Sequence, residues 1–121
     1  MPNFKKYFTP AEASKTLPLV KSIVSDILAQ ATLLRQSDES VAIDSQQLRE
    51  NIEANLAELE EIGCFYKDWS FTLGLVDFPA QLGDRDVFLC WRSDENELLY
   101  FHEVEAGYAG RQLISSHFRN T

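Results

Sequence analysis

The sequence predicts an α+β domain, an N-terminal antiparallel helical hairpin packed on a small C-terminal antiparallel β-sheet. Three observations predict it. Apolar residues recur every three or four positions through the first half of the chain. Gly63 then closes that half as a helix stop. From there the apolar spacing changes to two, broken by turn residues. The whole chain of 121 residues reads as a single domain. Its hairpin covers 9–62, its sheet and turns 64–111, and a tail 112–121.

The first helix starts at Thr9-Pro10-Ala11-Glu12, a capping box in which the Thr9 hydroxyl and the Glu12 carboxylate each satisfy the other's backbone amide. Pro10 takes the first helical position, where a missing N–H costs nothing. Leu17, Val20, Val24, Ile27, Ala31 and Leu34 form one stripe. Pro18 cannot donate to the Ser14 carbonyl, so the expectation is a kink, or a short helix followed by a longer one. The polar QSDESVAID segment interrupts the pattern. A second capping box at Asp44 to Gln47 opens a stripe of Leu48, Ile52, Leu56, Leu59 and Ile62, with Asn55 on its seam. The short linker predicts an antiparallel pair. Lys15, Lys21 and Arg35 on the first helix face an acidic second helix, and such surface pairs contribute about 0.2–1 kcal/mol each.

Beyond Gly63, FYKDWSF alternates loosely, and GLVDFPAQLGDRD carries the turn residues Gly74, Pro79, Gly83 and Asp84. VFLCWR reads as a strand with Val87, Leu89 and Trp91 on one face and Phe88, Cys90 and Arg92 on the other. Ser93 to Asn96 is a turn, and ELLYFHEV returns as the hairpin partner, giving a hairpin over 86–104. Both its faces are largely apolar, which predicts cover on each side by the helices and by a partner.

Composition narrows the function classes. Hydrophobic residues make up 45% and the net charge is −8. Residues 1–36 carry five basic side chains against two acidic ones (+3), and the remainder six against seventeen (−11). An acidic chain without a basic, aromatic patch is not expected to bind nucleic acid. Cys64 and Cys90 lack CxxC spacing and read as two buried thiols rather than a disulfide or zinc framework. The start, MPNFKKYFTP, has no apolar stretch after its charges and does not read as a secretory signal. No window approaches eighteen uninterrupted apolar residues, so no membrane span is expected. The expectation that remains is a soluble, cytoplasmic protein.

Candidate chemistry gathers at LLYFHEVEAGYAGR. HEVE resembles metal-ligand spacing, yet on a strand His102 and Glu103 point to opposite faces, and only a turn after Val104 brings Glu105 beside the imidazole. Further ligands, such as Asp77 or Cys90, would have to come from elsewhere, so a hydrogen-bonded structural histidine is the plainer reading. Asp77 lies between Val76 and Phe78 and needs a partner, for which Arg111 or Arg85 offers a bidentate guanidinium. A structural ion pair is one reading. A polar pocket of Asp77, His102 and Arg111, roofed by Trp91 and Tyr108, is the other. AGYAGR lacks a P-loop lysine and a following helix; positive-φ turns account for Gly107 and Gly110 and leave Arg111 displayed.

Taken together, FTPAEASKTLPLV, GLVDFPA, VFLCWR and FHEVEAGYAGRQ resemble the bacterial and archaeal family known as domain of unknown function 2203. Phe101 stands where that family often has tryptophan, and Tyr108 where it often has phenylalanine. The resemblance covers nearly the whole chain and implies no known activity. It places emphasis on Asp77, Trp91, His102, Gly107, Gly110 and Arg111.

The functional expectation is a non-enzymatic binding or assembly module, self-associating as a homodimer through its helices, with an unidentified protein or small molecule as its further partner. The alternative is a small enzyme or metal-binding protein around Asp77, His102, Glu105 and Arg111. No cofactor and no metal are expected, His102 and Glu105 being the nearest to candidate ligands.

Overall fold

The structure, a computed structural model, describes residues 4–36 and 45–119. Helix α1 spans Pro10–Gln36 and α2 Ser45–Ile62. Five strands follow: β1 Phe65–Tyr66, β2 Leu75–Leu82, β3 Arg85–Arg92, β4 Tyr100–Glu103 and β5 Gln112–Leu113. A 3-10 turn, Tyr108–Gly110, lies between β4 and β5, and a short helix α3, Ser116–Arg119, ends the described chain. The strands form an antiparallel meander in the order β1-β2-β3-β4-β5. The helical hairpin packed on a C-terminal antiparallel sheet is therefore the observed architecture.

Local chemistry sets both helix ends. Thr9 N–H donates to Glu12 Oε1 (3.2 Å) and Glu12 N–H to Thr9 Oγ1 (3.0 Å), which completes the capping box. Helix α1 runs unbroken through Pro18, so the division into a short and a longer helix is not seen. At the end of α2, Gly63 takes φ 108°. Its N–H donates to the Glu60 carbonyl and the Cys64 N–H to the Leu59 carbonyl, a Schellman cap. The second capping box, Asp44 to Gln47, and the QSDESVAID linker lie largely outside the described residues.

Burial explains the stripe on α1. Ala13, Leu17, Val20, Val24, Ile27 and Ala31 are all buried, and they join one core with Val76, Phe78, Ala80 and Leu82 of β2 and Val87, Leu89 and Trp91 of β3. By length and composition α1 is apolar enough to cross a bilayer, at a mean hydropathy of 1.4. Its apolar stripe is occupied here by the sheet and α2. Helix α2 contributes Ile52 and Leu59, with Leu56 and Ile62 packed at the margin. No ion pair among the described residues joins the two helices. Lys21 instead donates to the Asn96 carbonyl (2.6 Å) and Arg35 to the Ser70 carbonyl (3.5 Å), so burial rather than charge holds the hairpin.

The sheet differs from expectation at β2. GLVDFPAQL reads as turns because of Gly74 and Pro79, yet Leu75–Leu82 is an eight-residue strand paired with β3 from Leu75↔Arg92 to Leu82↔Arg85. Pro79 is tolerated because the backbone on that side of the residue faces away from β3. Its carbonyl accepts from Phe8 N–H (2.7 Å) in a bridge beyond the end of β1, so the missing N–H removes no β2–β3 bond. The predicted hairpin partner is shorter than expected, with β4 limited to Tyr100–Glu103. The tail is structured: β5 pairs with β4, and Ile114 is buried.

Gly74, just before β2, lies tightly against α1. It exchanges hydrogen bonds with Ser93, and a Cβ at this position would overlap Val24 Cγ1. Gly74→Ala is expected to cost about 1–3 kcal/mol through overpacking, read as a lower urea midpoint with an unchanged slope.

Candidate functional site

Residue parity along the meander divides the sheet. Val76, Phe78, Val87, Leu89 and Phe101 face the helices, so Asp77, Phe88, Cys90 and His102 face the other way. Asp77 pairs with Cys90 across β2–β3, and His102 pairs with Phe88 across β3–β4. Three adjacent strands thereby each place one chemically active side chain on a single patch. All three are nearly inaccessible to solvent: Asp77 4%, Cys90 1% and His102 3% exposed.

The two imidazole nitrogens of His102 are both engaged. Nδ1 lies 2.8 Å from the Glu103 carbonyl, which can only accept, so Nδ1 carries a proton. Nε2 lies 3.0 Å from Asp77 Oδ2. Burial pulls the imidazole pKa down, but the bonds to Asp77 and to the Glu103 carbonyl outweigh it and leave the value above the ordinary 6.5. Cys90 responds in the opposite sense to a nucleophile. Burial first, and then the Asp77 charge, push its thiol up to about 12, so it stays protonated at neutral pH.

These residues floor a cleft of about 240 Å³, walled by Lys67, Leu75, Phe88, Val104, Gly107 and Tyr108. Lys67 stands at the rim, its Nζ 5.7 Å and 5.6 Å from the Phe65 and Phe88 ring centroids. Phe4 packs on Phe88 at 5.1 Å and on Phe65 at 5.9 Å, covering the neighbouring part of the outer face. The cover expected on this side thus comes in part from the chain's own N-terminal segment.

The sequence-predicted site residues separate into three groups. Asp77 and His102 meet, and Tyr108 stands at the cleft wall. Arg111 does not reach Asp77. Its Nη2 donates to both Glu95 carboxylate oxygens (2.6 and 2.7 Å), and its guanidinium lies over Tyr100 at 4.1 Å and Tyr108 at 5.1 Å. Arg85 likewise pairs with Glu103 at 2.5 Å, leaving the imidazole as the partner of Asp77. Trp91 roofs nothing: it is buried on the helix side, donating to the Glu95 carbonyl at 2.8 Å. Glu105 is exposed in the turn after β4 and is not among the residues that line the cleft.

Of the two glycines, Gly107 takes φ 66° as a turn position should, whereas Gly110 does not have a positive φ. Gly110 is required for space, since a Cβ there would meet Ala106 Cβ at 2.6 Å. Sequence reasoning missed Lys67 as a cleft residue. The available signal was its spacing of two from Phe65, which places both on the outer side.

Comparison with known proteins agrees with this motif order. A family model described as an uncharacterized conserved protein (DUF2203) matches residues 6–114, and the chain belongs to that family. No curated protein and no solved structure matches it.

The buried pair predicts a measurable linkage. Removing one partner leaves an uncompensated buried group, so Asp77→Ala is expected to cost about 3–5 kcal/mol. Folded His102 keeps its proton to higher pH than the unfolded chain does. Its contribution is therefore complete below about 6.5 and is lost as pH rises through the raised folded value. Urea midpoints of the wild type should fall across that window, and in Asp77→Asn the fall should be smaller. A steeper fall in the variant would contradict the pair.

Proposed function

We propose that this member of the DUF2203 family is a cytoplasmic, non-enzymatic binding module that takes a small organic anion in the outer-face cleft. The observation that carries the reading is the uneven charge balance of that cleft. At its floor Asp77 is already matched by His102. At its rim Lys67 has no carboxylate within 4.0 Å among the described residues. An anionic group entering beside Lys67 gains an unshared cation, and an apolar body finds Leu75, Phe88 and Val104. The chain's net charge of −8 repels anions at long range, so binding here rests on the local contact with Lys67.

Binding is favoured over catalysis because the reactive groups are committed. Both His102 nitrogens have partners, the Cys90 thiol is held protonated, and Arg111 is closed onto Glu95. The alternative of an enzyme built around Asp77, His102, Glu105 and Arg111 has less support, since Arg111 is paired with Glu95 and neither Arg111 nor Glu105 lines the cleft. Two free, buried cysteines accord with a reducing compartment.

A homodimer is the second reading. The apolar stripe that first pointed to it is spent inside the protomer. What supports it now is Leu19 and Leu33, 50% and 44% exposed on α1. Fourteen positions apart, they lie within about 40° on the helix surface.

Two measurements test these readings. Acetate, butyrate and benzoate titrated into labelled protein should move amide resonances around Lys67, Asp77 and His102. Lys67→Glu should weaken that binding by at least about tenfold, equivalent to about 1.4 kcal/mol. Unchanged binding in Lys67→Glu, or shifts confined to other surfaces, would remove the anion reading. Light scattering on dilute protein should give twice 13.8 kDa, reverting to the monomer mass in Leu19→Glu/Leu33→Glu; a monomeric wild type would end the dimer reading.

A further inference from the structure

We propose that Asp77, Cys90 and His102 form a three-ligand zinc site, with the fourth coordination position open to the outer-face cleft. The inference goes beyond anion binding and does not depend on it. It also departs from the sequence expectation, which included no metal and had His102 and Glu105 as its nearest candidates.

The donor set is the first support. A thiolate, an imidazole and a carboxylate are the ligands zinc uses, and three protein ligands with one open position is its arrangement where an exchangeable ligand binds. Here the donor atoms of Asp77, Cys90 and His102 all lie within 4.8 Å of one another, and all three residues are buried. Bond lengths of about 2.0–2.3 Å in a tetrahedron put donors about 3.3–3.8 Å apart. The Asp77–His102 separation of 3.0 Å would open slightly and the sulfur would close in, movements within the reach of side-chain torsions.

Orientation is the second support. Metal-bound histidines characteristically donate their other N–H to a carbonyl or carboxylate, which fixes the ring and aims the free nitrogen. His102 already does this through Nδ1 and the Glu103 carbonyl, so Nε2 points at Asp77 and the space beside Cys90. The ligands come from three adjacent, mutually hydrogen-bonded strands, a stiffer frame than a loop.

Charge is the third. A dication with one carboxylate, one thiolate and a neutral imidazole sums to zero, which suits a buried site. Zinc would occupy the place of the proton shared between Asp77 and His102, and the thiol proton would leave as sulfur binds. Access is provided by the cleft, whose lining includes all three ligands.

The test uses full-length protein freed of metal with a chelator and titrated with cobalt(II), then zinc. A thiolate ligand gives an intense near-ultraviolet charge-transfer absorption, expected to saturate at about one molar equivalent of cobalt and to vanish as zinc displaces it. Cys90→Ser should lose the absorption and Cys64→Ser should keep it, since Cys64 lies in the core beside Leu59. His102→Gln should weaken cobalt binding by more than about 100-fold, beyond the loss typical of an outer-shell partner. Absorption that is absent in the wild type, or that persists in Cys90→Ser, overturns the proposal. Should the variants fail to fold, the wild type supplies the readout: zinc should shift the imidazole resonances of His102 and leave those of His117, and the reverse pattern overturns it. Carboxylate binding by the chelated protein is scored separately, so the two readings fail independently.

Discussion

A carboxylate buried on the outer face of the sheet must have a partner, because an isolated buried charge is too costly to keep. Asp77 meets that requirement across an intervening strand, at 3.0 Å from His102 Nε2. The contact ties β2 to β4 over β3, so the three central strands are cross-linked by side chains as well as by their backbone ladders. Much else on this face follows from it. The imidazole is pinned, Cys90 is trapped beneath a neighbouring negative charge, and the cleft acquires a polar floor. A buried pair of this kind contributes little net stability relative to well-packed apolar residues.

The two faces of the sheet perform different work. The helix-facing side is apolar at its centre, with Arg85, Glu103 and Gln112 at its margins, and is covered by α1, whose stripe runs from Ala13 to Ala31 with scarcely any solvent contact. Among the described residues no α-helix covers the outer side. It is protected piecemeal: by the Phe4, Phe65 and Phe88 cluster near β1, and by the segment after β4 at the other end. Between these two covers lies the cleft. Its position is thus set by what the chain does not cover, with a polar floor where bare apolar surface would be a liability.

The segment after β4 is itself held by charge and aromatic stacking. Arg111 bridges Glu95 in the β3–β4 connection, lies on Tyr100 and reaches the Cys90 carbonyl. Arg92 bonds the Tyr108 hydroxyl from the same side. These contacts fix the wall that Tyr108 and Gly107 present to the cleft. Arginine suits the role, because a planar guanidinium can stack on a ring while its edge binds a carboxylate. The residues therefore shape the cleft from behind, without entering it.

Sequence by itself determined what depends on neighbours along the chain. Helix limits followed from Thr9, Pro10, Glu12 and Gly63, since caps act over three or four residues. The buried face of α1 and the opposite-facing sets in β3 followed from periods of 3.6 and two. Sequence periodicity obscured β2, because Pro79 disrupts a strand only where its missing N–H would have bonded the neighbouring strand, and that depends on the β2–β3 register. Tertiary structure alone decided the partners. Asp77, Cys90 and His102 stand thirteen and twelve positions apart, a spacing set by the meander and invisible as a local motif. Arg111 looked as good a partner for Asp77 as any. Register across three strands gave the carboxylate to the imidazole and turned the guanidinium to Glu95. Long-range pairing is chosen by the packing of the whole sheet, and no short stretch of residues contains that information.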